Sequence, residues 1–425
     1  MSRKFVKYCF RAWKITMPYK EIEMRIAFFC ERFCRSSSIA QPWRHVYETA
    51  KRMNLLGHTV CIFSDEMNGH SKTDEIDGIA IYRIKKGKLL LDSEDLLRSF
   101  DKFDADIVNW HSGPLSTIYF QRLRKKLRNK IVWNVHHGKI FREDLKYIKI
   151  SDIYQIQKFW TTFLYTLVPP FIIRNGANTP QVRQIITLSE RLKRYFKQIG
   201  VQSKKVSVIP SGVDTKVLRP LSMSDMLDQK TSLGVKNNNQ IILFFGPLSS
   251  LRGADILISA MPKILRKVPS AKLVLLARKS YKDTTDGRLE SAARKQPGIK
   301  LLNGTIEHSL VTRYLGIANI VVLPFRFWPY TECPLTVLEA MAMAKPVVTT
   351  YSGSIQEIIK NGETGILISP GDSNQLSQAT TKLLTNKDLS EEIGQRARKY
   401  VEATHDWDHI TRLTLGVFEK AADAP

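Results

Sequence analysis

Two doubly wound α/β domains, facing each other across a cleft, are the fold class this sequence predicts. Three observations carry that expectation. The chain has 425 residues, more than one ordinary core organises, so two domains of about 200 residues each are expected. Short apolar runs alternate with amphipathic stretches along most of its length, the order of a parallel sheet with crossover helices. The alternation breaks once, at a polar stretch over 221–240 that contains Asn237, Asn238 and Asn239.

The first series opens with a strand at 24–29 and a polar loop over 31–41. A helix follows, with Val46, Ala50, Met53 and Leu56 as its apolar positions, and Gly57 stops it before a strand at 59–63. Strand, helix and strand in that order form a right-handed crossover unit. Strands at 107–110 and 131–135, with a helix over 115–127 between them, extend the series. A strand at 185–188, a helix through Phe196 and a strand at 206–209 complete it. The second series has strands at 241–245, 272–276, 299–302, 320–323 and 346–349. The expected organisation is a basic segment 1–23, a first domain 24–216, a linker 217–240, a second domain 241–400 and a C-terminal helix within 401–425 that packs back on the first domain. In open sheets of this kind ligands bind beyond the carboxyl ends of the strands, so chemistry is expected in those loops.

Composition narrows the partners. Hydrophobic residues make up 43% and charged residues 25%, a globular balance rather than a disordered one. No apolar run reaches the roughly 20 residues of a membrane-spanning helix, and the first residues lack the order of a signal peptide. The five cysteines show neither paired nor metal-ligand spacing, so a reduced, cytoplasmic chain is expected. Lys and Arg number 65 against 40 Asp and Glu, a net charge of +25. Such a field attracts nucleic acid, anionic lipid or anionic substrates. No nucleic-acid-binding module accompanies it, so nucleic acid is not an expected partner. Before Glu21 there are six bases and no acid. On a helix, Lys4, Lys7, Arg11 and Lys14 form one stripe and Val6, Phe10, Trp13 and Met17 another. Two readings stay open: a helix lying on the cytoplasmic face of an anionic membrane, or one packed on the protein's own core. The apolar run 159–173, broken by Pro169 and Pro170, is likewise either buried packing or an interfacial patch.

Four segments carry candidate chemistry. In FRFWPYTECPLTVLEAMAMAKPVV, starting at Phe325, Pro334 suits the first turn of a helix. The backbone N–H groups at Leu335, Thr336 and Val337 would favour a diphosphate, and Glu339 would accept from vicinal hydroxyls such as those of a ribose. In FFGPLSSLRG, starting at Phe244, a strand ends at Gly246 and Arg252 precedes a helix, which makes a phosphate site by charge and helix dipole together. His136, His137 and Gly138 follow a strand directly, and His111 follows the preceding one; histidines at strand ends belong to the cleft. Finally, PSGVD at 210–214 is turn chemistry around Gly212.

In this order the segments resemble the large retaining GT-B glycosyltransferase family often called family 4, from residue 24 to the end and most clearly over 185–373. The resemblance implies two Rossmann-like domains. It makes Glu339 the donor-ribose residue, and the helix start at Pro334, Leu335 and Thr336 the diphosphate site, with Gly246 and Arg252 opposite. It makes His136 a contact of the donor sugar. The family's E-x7-E pattern has its first Glu eight residues before the second. Here that position is Thr331, with Glu332 one place late; either a local bulge lets Glu332 serve or Thr331 weakens the contact. Pro247 replaces the Arg of the usual G-R-L-x-x-x-K-G, and Arg252 replaces its Lys. The usual glycine pair after the first strand gives way to the stretch from Ser36 to Gln41, so Ser38 and Gln41, with His111 and His137, are acceptor-side candidates. The implied reaction moves a sugar, with retention, from a UDP- or GDP-sugar to a glycan or lipid-linked acceptor in cell-surface polysaccharide or glycolipid synthesis. Its route is front-face substitution, without metal or cofactor beyond the nucleotide sugar. Pro247 and Thr331 keep a second reading open, a GT-B protein that binds nucleotide or glycan without turnover.

Overall fold

The computed structural model describes residues 23–37, 41–85, 94–113, 116–123, 130–136, 141, 146, 167–278, 287–304, 306–327 and 333–423. The basic segment 1–22, Ser38, His137, residues 159–166, Thr331 and Glu332 lie outside the described residues.

The first half contains β1 (Arg25–Cys30), α1 (Trp43–Leu55), β2 (Thr59–Asp65), β3 (Thr73–Ile76), β4 (Ile79–Ile84), α2 (Glu94–Phe103), β5 (Ile107–His111), α3 (Ser116–Leu123), β6 (Lys130–Val135), α4 (Pro170–Ala177), β7 (Val182–Thr187), α5 (Glu190–Gln198) and β8 (Val206–Val208). The second half contains α6 (Met223–Ser232), β9 (Gln240–Gly246), α7 (Ala254–Lys267), β10 (Ala271–Arg278), α8 (Gly287–Lys295), β11 (Ile299–Gly304), α9 (His308–Ile317), β12 (Ile320–Leu323), α10 (Leu335–Ala342), β13 (Val347–Thr350), α11 (Ile355–Ile358), β14 (Ile366–Ile368), α12 (Ser373–Thr385), α13 (Lys387–Thr404) and α14 (Trp407–Asp423).

Each half is built on one sheet. The first has the order β3-β4-β2-β1-β5-β6-β7-β8 and the second β11-β10-β9-β12-β13-β14. Every pairing is parallel except β3 with β4. Three strands escape the sequence reading. β3 is a polar edge strand whose first three residues are exposed, so it shows no apolar alternation. β4 pairs with it across a turn in which Asp77 and Gly78 both take positive φ. β14 is only three residues long.

Strand order places the crevices. The chain runs outward from β1 to β2 and β4 on one side and returns through β5 on the other, so the first switch point lies between β1 and β5. In the second sheet the same reversal falls between β9 and β12. Loops leaving a switch point diverge, and the gap between them is where an α/β sheet takes its ligand.

The chain crosses between the halves twice, and the crossings hold each other. Val213 N donates to His405 O at 2.8 Å and Trp407 N to Val213 O at 3.3 Å. Gly212 is required here, because a Cβ would stand 2.4 Å from the Trp407 ring. After the second crossing α14 lies against the first sheet. Its Trp407, Ile410, Val417, Phe418 and Ala421 join Ile26, Phe28 and Val46 in one apolar cluster.

Candidate functional site

At the second sheet's switch point two loops meet. The loop after β9 ends in Arg252 and Gly253, and the loop after β12 runs beside it, Arg326 N donating to Leu251 O at 2.9 Å. Both glycines of the first loop are required, Gly246 by its backbone angle and Gly253 by its angle and by backbone contact. Gly246 has φ +127 and a Cβ there would lie 2.2 Å from Arg252 Nη1; Gly253 has φ +74 and a Cβ would lie 1.9 Å from the Pro324 carbonyl oxygen. Only glycine adopts these angles without strain and leaves that room. The Arg252 guanidinium is thereby seated against the end of β9, buried, with its carbon 5.7 Å from the centre of the Phe325 ring. The neighbouring cation, Arg326, is committed to Asp255 at 2.6 Å.

The strand order puts the start of α10, reached through the loop after β12, on the other side of that switch point. Pro334 holds the N-cap position with φ −67 and no capping side chain, and the first turn contains no acid. A bare helix start of this kind favours an anion through its N–H groups and dipole. Leu335 and Thr336 form this first turn, and Glu339 follows it, buried at 6% exposure. The arrangement offers a cation, a helix start and a carboxylate around one crevice, the set a nucleoside diphosphate requires. Among the described residues no group of three or more His, Cys, Asp or Glu is placed to hold a metal ion.

The first half contributes histidines. The β5–β6 register sets His111 opposite Asn134, so His136, two residues on, shares the same face. His111 Nδ1 and His136 Nε2 are 2.7 Å apart, one donating and the other accepting. Both are buried, at 3% and 2% exposure, so His111 is a support for His136 rather than an exposed group. His45 of α1 packs edge-on to His136 with ring centres 4.9 Å apart, a neighbour the sequence reading missed. Burial pushes His45 down to about 3, and burial followed by the field of His45 pushes His111 well below the ordinary histidine value. Both rings are neutral at pH 7 and offer hydrogen bonds, not charge. Gln41 lies beside the first crossing, its Nε2 donating to Ser211 Oγ at 2.8 Å.

One cross-cleft residue was not legible beforehand. Arg44, near the start of α1, donates from Nη1 to Glu339 Oε1 at 3.1 Å. A second cross-cleft contact comes from Glu357, whose carboxylate accepts from the backbone N–H groups of Glu190 and Arg191 at 2.7 and 2.8 Å, capping α5.

The chain is similar to known proteins in sequence and in fold. The family model described as Glycosyltransferase Family 4 matches residues 43–217, and that described as Glycosyl transferases group 1 matches residues 239–386. An uncharacterized glycosyltransferase of Methanocaldococcus jannaschii is 29% identical over 242 residues, 56% of this chain and 60% of that protein. A GDP-mannose-dependent monoacylated alpha-(1-6)-phosphatidylinositol monomannoside mannosyltransferase of Corynebacterium glutamicum is 27% identical over 244 residues, 55% of this chain and 61% of that one. These alignments span about three-fifths of the relatives' lengths. In fold, the chain is similar to the sucrose-phosphate synthase of Thermosynechococcus elongatus, with TM-score 0.72, 18% identity, and 93% and 98% of the two chains covered. It is also similar to HepE of Anabaena in complex with UDP-glucose, with TM-score 0.70, 17% identity, and 93% and 100% covered. Both halves, the switch-point crevices and the order of the segments lead to one conclusion: the chain belongs to the group 1 glycosyltransferases of family 4 and has their two-domain GT-B fold.

Proposed function

We propose that this protein is a retaining glycosyltransferase that moves a hexose from a nucleotide-diphosphate sugar, UDP- or GDP-linked, to a glycan or lipid-linked acceptor. One observation supports it above the others: Arg252 is seated by two obligatory glycines on one side of a switch point whose other side is the uncapped start of α10, followed by buried Glu339. In this reading Arg252 and the helix start take the diphosphate, Glu339 takes the ribose hydroxyls, and His136, oriented by His111, donates to or accepts from the donor sugar. The acceptor oxygen attacks from the face the diphosphate leaves. Its proton passes to the departing phosphate oxygen, and the protein supplies position and charge stabilisation. No metal takes part, so EDTA leaves nucleotide binding unchanged. Acceptors at a lipid surface suit the first half, where Leu167 and Phe171 stand 59% and 57% exposed at the head of α4. In this reading they dock the protein on the cytoplasmic face of an anionic membrane.

Calorimetric titration with UDP, GDP and ADP tests the donor site. One of the three is expected to bind, and Glu339→Ala to weaken it about tenfold or more, the loss of charged hydrogen bonds worth roughly 1.5–3 kcal/mol. Unchanged binding in that variant removes Glu339 from the site. Turnover with an α-linked product from an α-linked donor establishes retention; binding without turnover on any acceptor favours the non-catalytic reading that Pro247 and Thr331 raise.

A further inference from the structure

Arg44, Glu48 and Arg52 are spaced four residues apart and therefore share one face of α1. Their alternating charges continue beyond both ends of the helix. At the cleft end Arg44 is bonded to Glu339 at 3.1 Å, while its Nε faces Glu48 Oε1 at 3.8 Å. Glu48 accepts in turn from Arg52. Arg52 Nε donates to Asp408 Oδ1 at 2.8 Å, and its Nη2 faces Asp214 Oδ2 at 3.4 Å. Lys216 closes on the other oxygen of Asp408 at 2.7 Å. Burial opposes ionisation of Asp408, yet hydrogen bonds from Lys216 and Arg52 outweigh it and hold the carboxyl below its usual range.

The two ends of this chain of ion pairs are the informative part. It begins on the carboxylate assigned to the donor ribose. It finishes on Asp214 and Asp408, each next to or one residue from the paired backbone bonds of the interdomain crossings. Its cleft end is shielded from solvent: the Arg44 and Glu339 side chains retain 11% and 8% exposure. A pair so placed is screened less than a surface pair and holds its geometry better. Glu339 Oε1 accepts from Arg44, so a ribose that uses both carboxylate oxygens competes with the guanidinium for the space around Oε1.

We propose that Arg44 is a cross-cleft latch: it holds the two domains together through Glu339, and a donor nucleotide binds by exchanging that ion pair for its ribose hydroxyls. The proposal rests on the donor reading of Glu339. After the exchange Arg44 keeps Glu48, so no charge on α1 is stranded by donor binding. Glu48 therefore sets how readily the latch opens. Without it, Arg44 belongs to Glu339 alone.

The test titrates UDP, GDP and ADP into the wild-type, Arg44→Gln and Glu48→Gln proteins by calorimetry. Small-angle X-ray scattering of each nucleotide-free protein gives its radius of gyration. Arg44→Gln is expected to bind its nucleotide about three- to tenfold more tightly, because no ion pair has to be broken. Glu48→Gln is expected to bind more weakly, a change of opposite sign on the same helix face that general damage to α1 would not produce. The radius of gyration is expected to rise in Arg44→Gln. Unaltered or weaker binding in Arg44→Gln overturns the latch whatever the scattering shows, weaker binding making Arg44 a direct nucleotide contact. If no protein binds any of the three nucleotides, the donor reading fails. Scattering then decides the latch alone, and an unchanged radius overturns it.

Discussion

The two halves of the molecule share a parallel sheet behind a cleft but fill their interiors differently. In the second half one continuous cluster surrounds the sheet and is dominated by aliphatic residues, from Ile241 and Leu243 on β9 to Ile393 on α13. Three of its buried charged groups, Arg252, Arg326 and Glu339, sit in the loops and helix after the strands. In the first half the sheet separates two clusters. One face carries Trp110, Trp133, Phe63, Phe100, Phe120 and Phe196. The other mixes Phe28 and Trp407 with His45, Asn109, His111, Asn134 and His136, so polar groups reach into the strands themselves. The second half is aliphatic around its sheet, with buried charged groups just beyond the strand ends. The first half carries buried hydrogen-bonding groups within its strands, and burial of its histidines in the neutral form makes its stability depend on pH.

The largest expected effect breaks the comparison at its seam. Trp407 is fully buried and belongs to the first half's core, although it follows the whole second half in the chain. Trp407→Ala is expected to cost about 3–5 kcal/mol, measured by urea unfolding. Loss in the first half alone is read from tryptophan emission, since of the seven tryptophans only Trp328 falls within 241–400. Unfolding of both halves at one midpoint would mean that they are a single cooperative unit.

Gly253→Ala sharpens the other side. It adds a Cβ 1.9 Å from a backbone oxygen at a φ of +74, and strain plus overpacking are expected to cost about 2–4 kcal/mol. Nucleotide binding should fall with it, because Arg252 loses its seat. A variant with wild-type stability would show that the loop after β9 shifts freely.

The smallest effect, taken per histidine and per pH unit, is the pH dependence that distinguishes the polar core from the aliphatic one. Burial holds His45 at about 3 and His405 at about 4 in the folded chain, against about 6.5 when unfolded. Above pH 6.5 both are neutral in both states. Below it the unfolded chain binds protons the folded chain refuses, so stability is lost as pH falls from about 6.5 toward the folded values, by up to about 1.4 kcal/mol per unit for each histidine. The urea midpoint of the tryptophan signal should drop between pH 6.5 and 4.5, and less steeply in His45→Phe. An unaltered slope would assign the dependence to other groups.

These differences also explain what could be read from the sequence. Fully buried parallel strands such as 320–323 and 241–245 announce themselves as apolar runs, and the start of α10 is marked by Pro334. Glu339 and Arg252 were legible because each sits at a fixed offset from a strand or helix end. Arg44 was not, since its partner lies 295 residues away and nothing in the local pattern of α1 points toward the cleft. The pairing of His111 with His136 depends on the register between β5 and β6, which periodicity alone leaves undetermined. His45 was hidden for the same reason as Arg44: the face of α1 it occupies is defined by α14 and Trp407, not by its own neighbours.

That last helix has a consequence for how the chain acquires its structure. The face of the first sheet that holds Ile26 and Phe28 is covered by residues 407–421, nearly four hundred positions downstream. During synthesis the first half emerges with that face covered only by α1, through Val46, Ala50 and Met53, and the rest stays open while the second half is made. Contacts so distant in sequence are closed late and slowly. Completion of the first sheet therefore waits on residues 407–421, which are made after the whole of the second sheet.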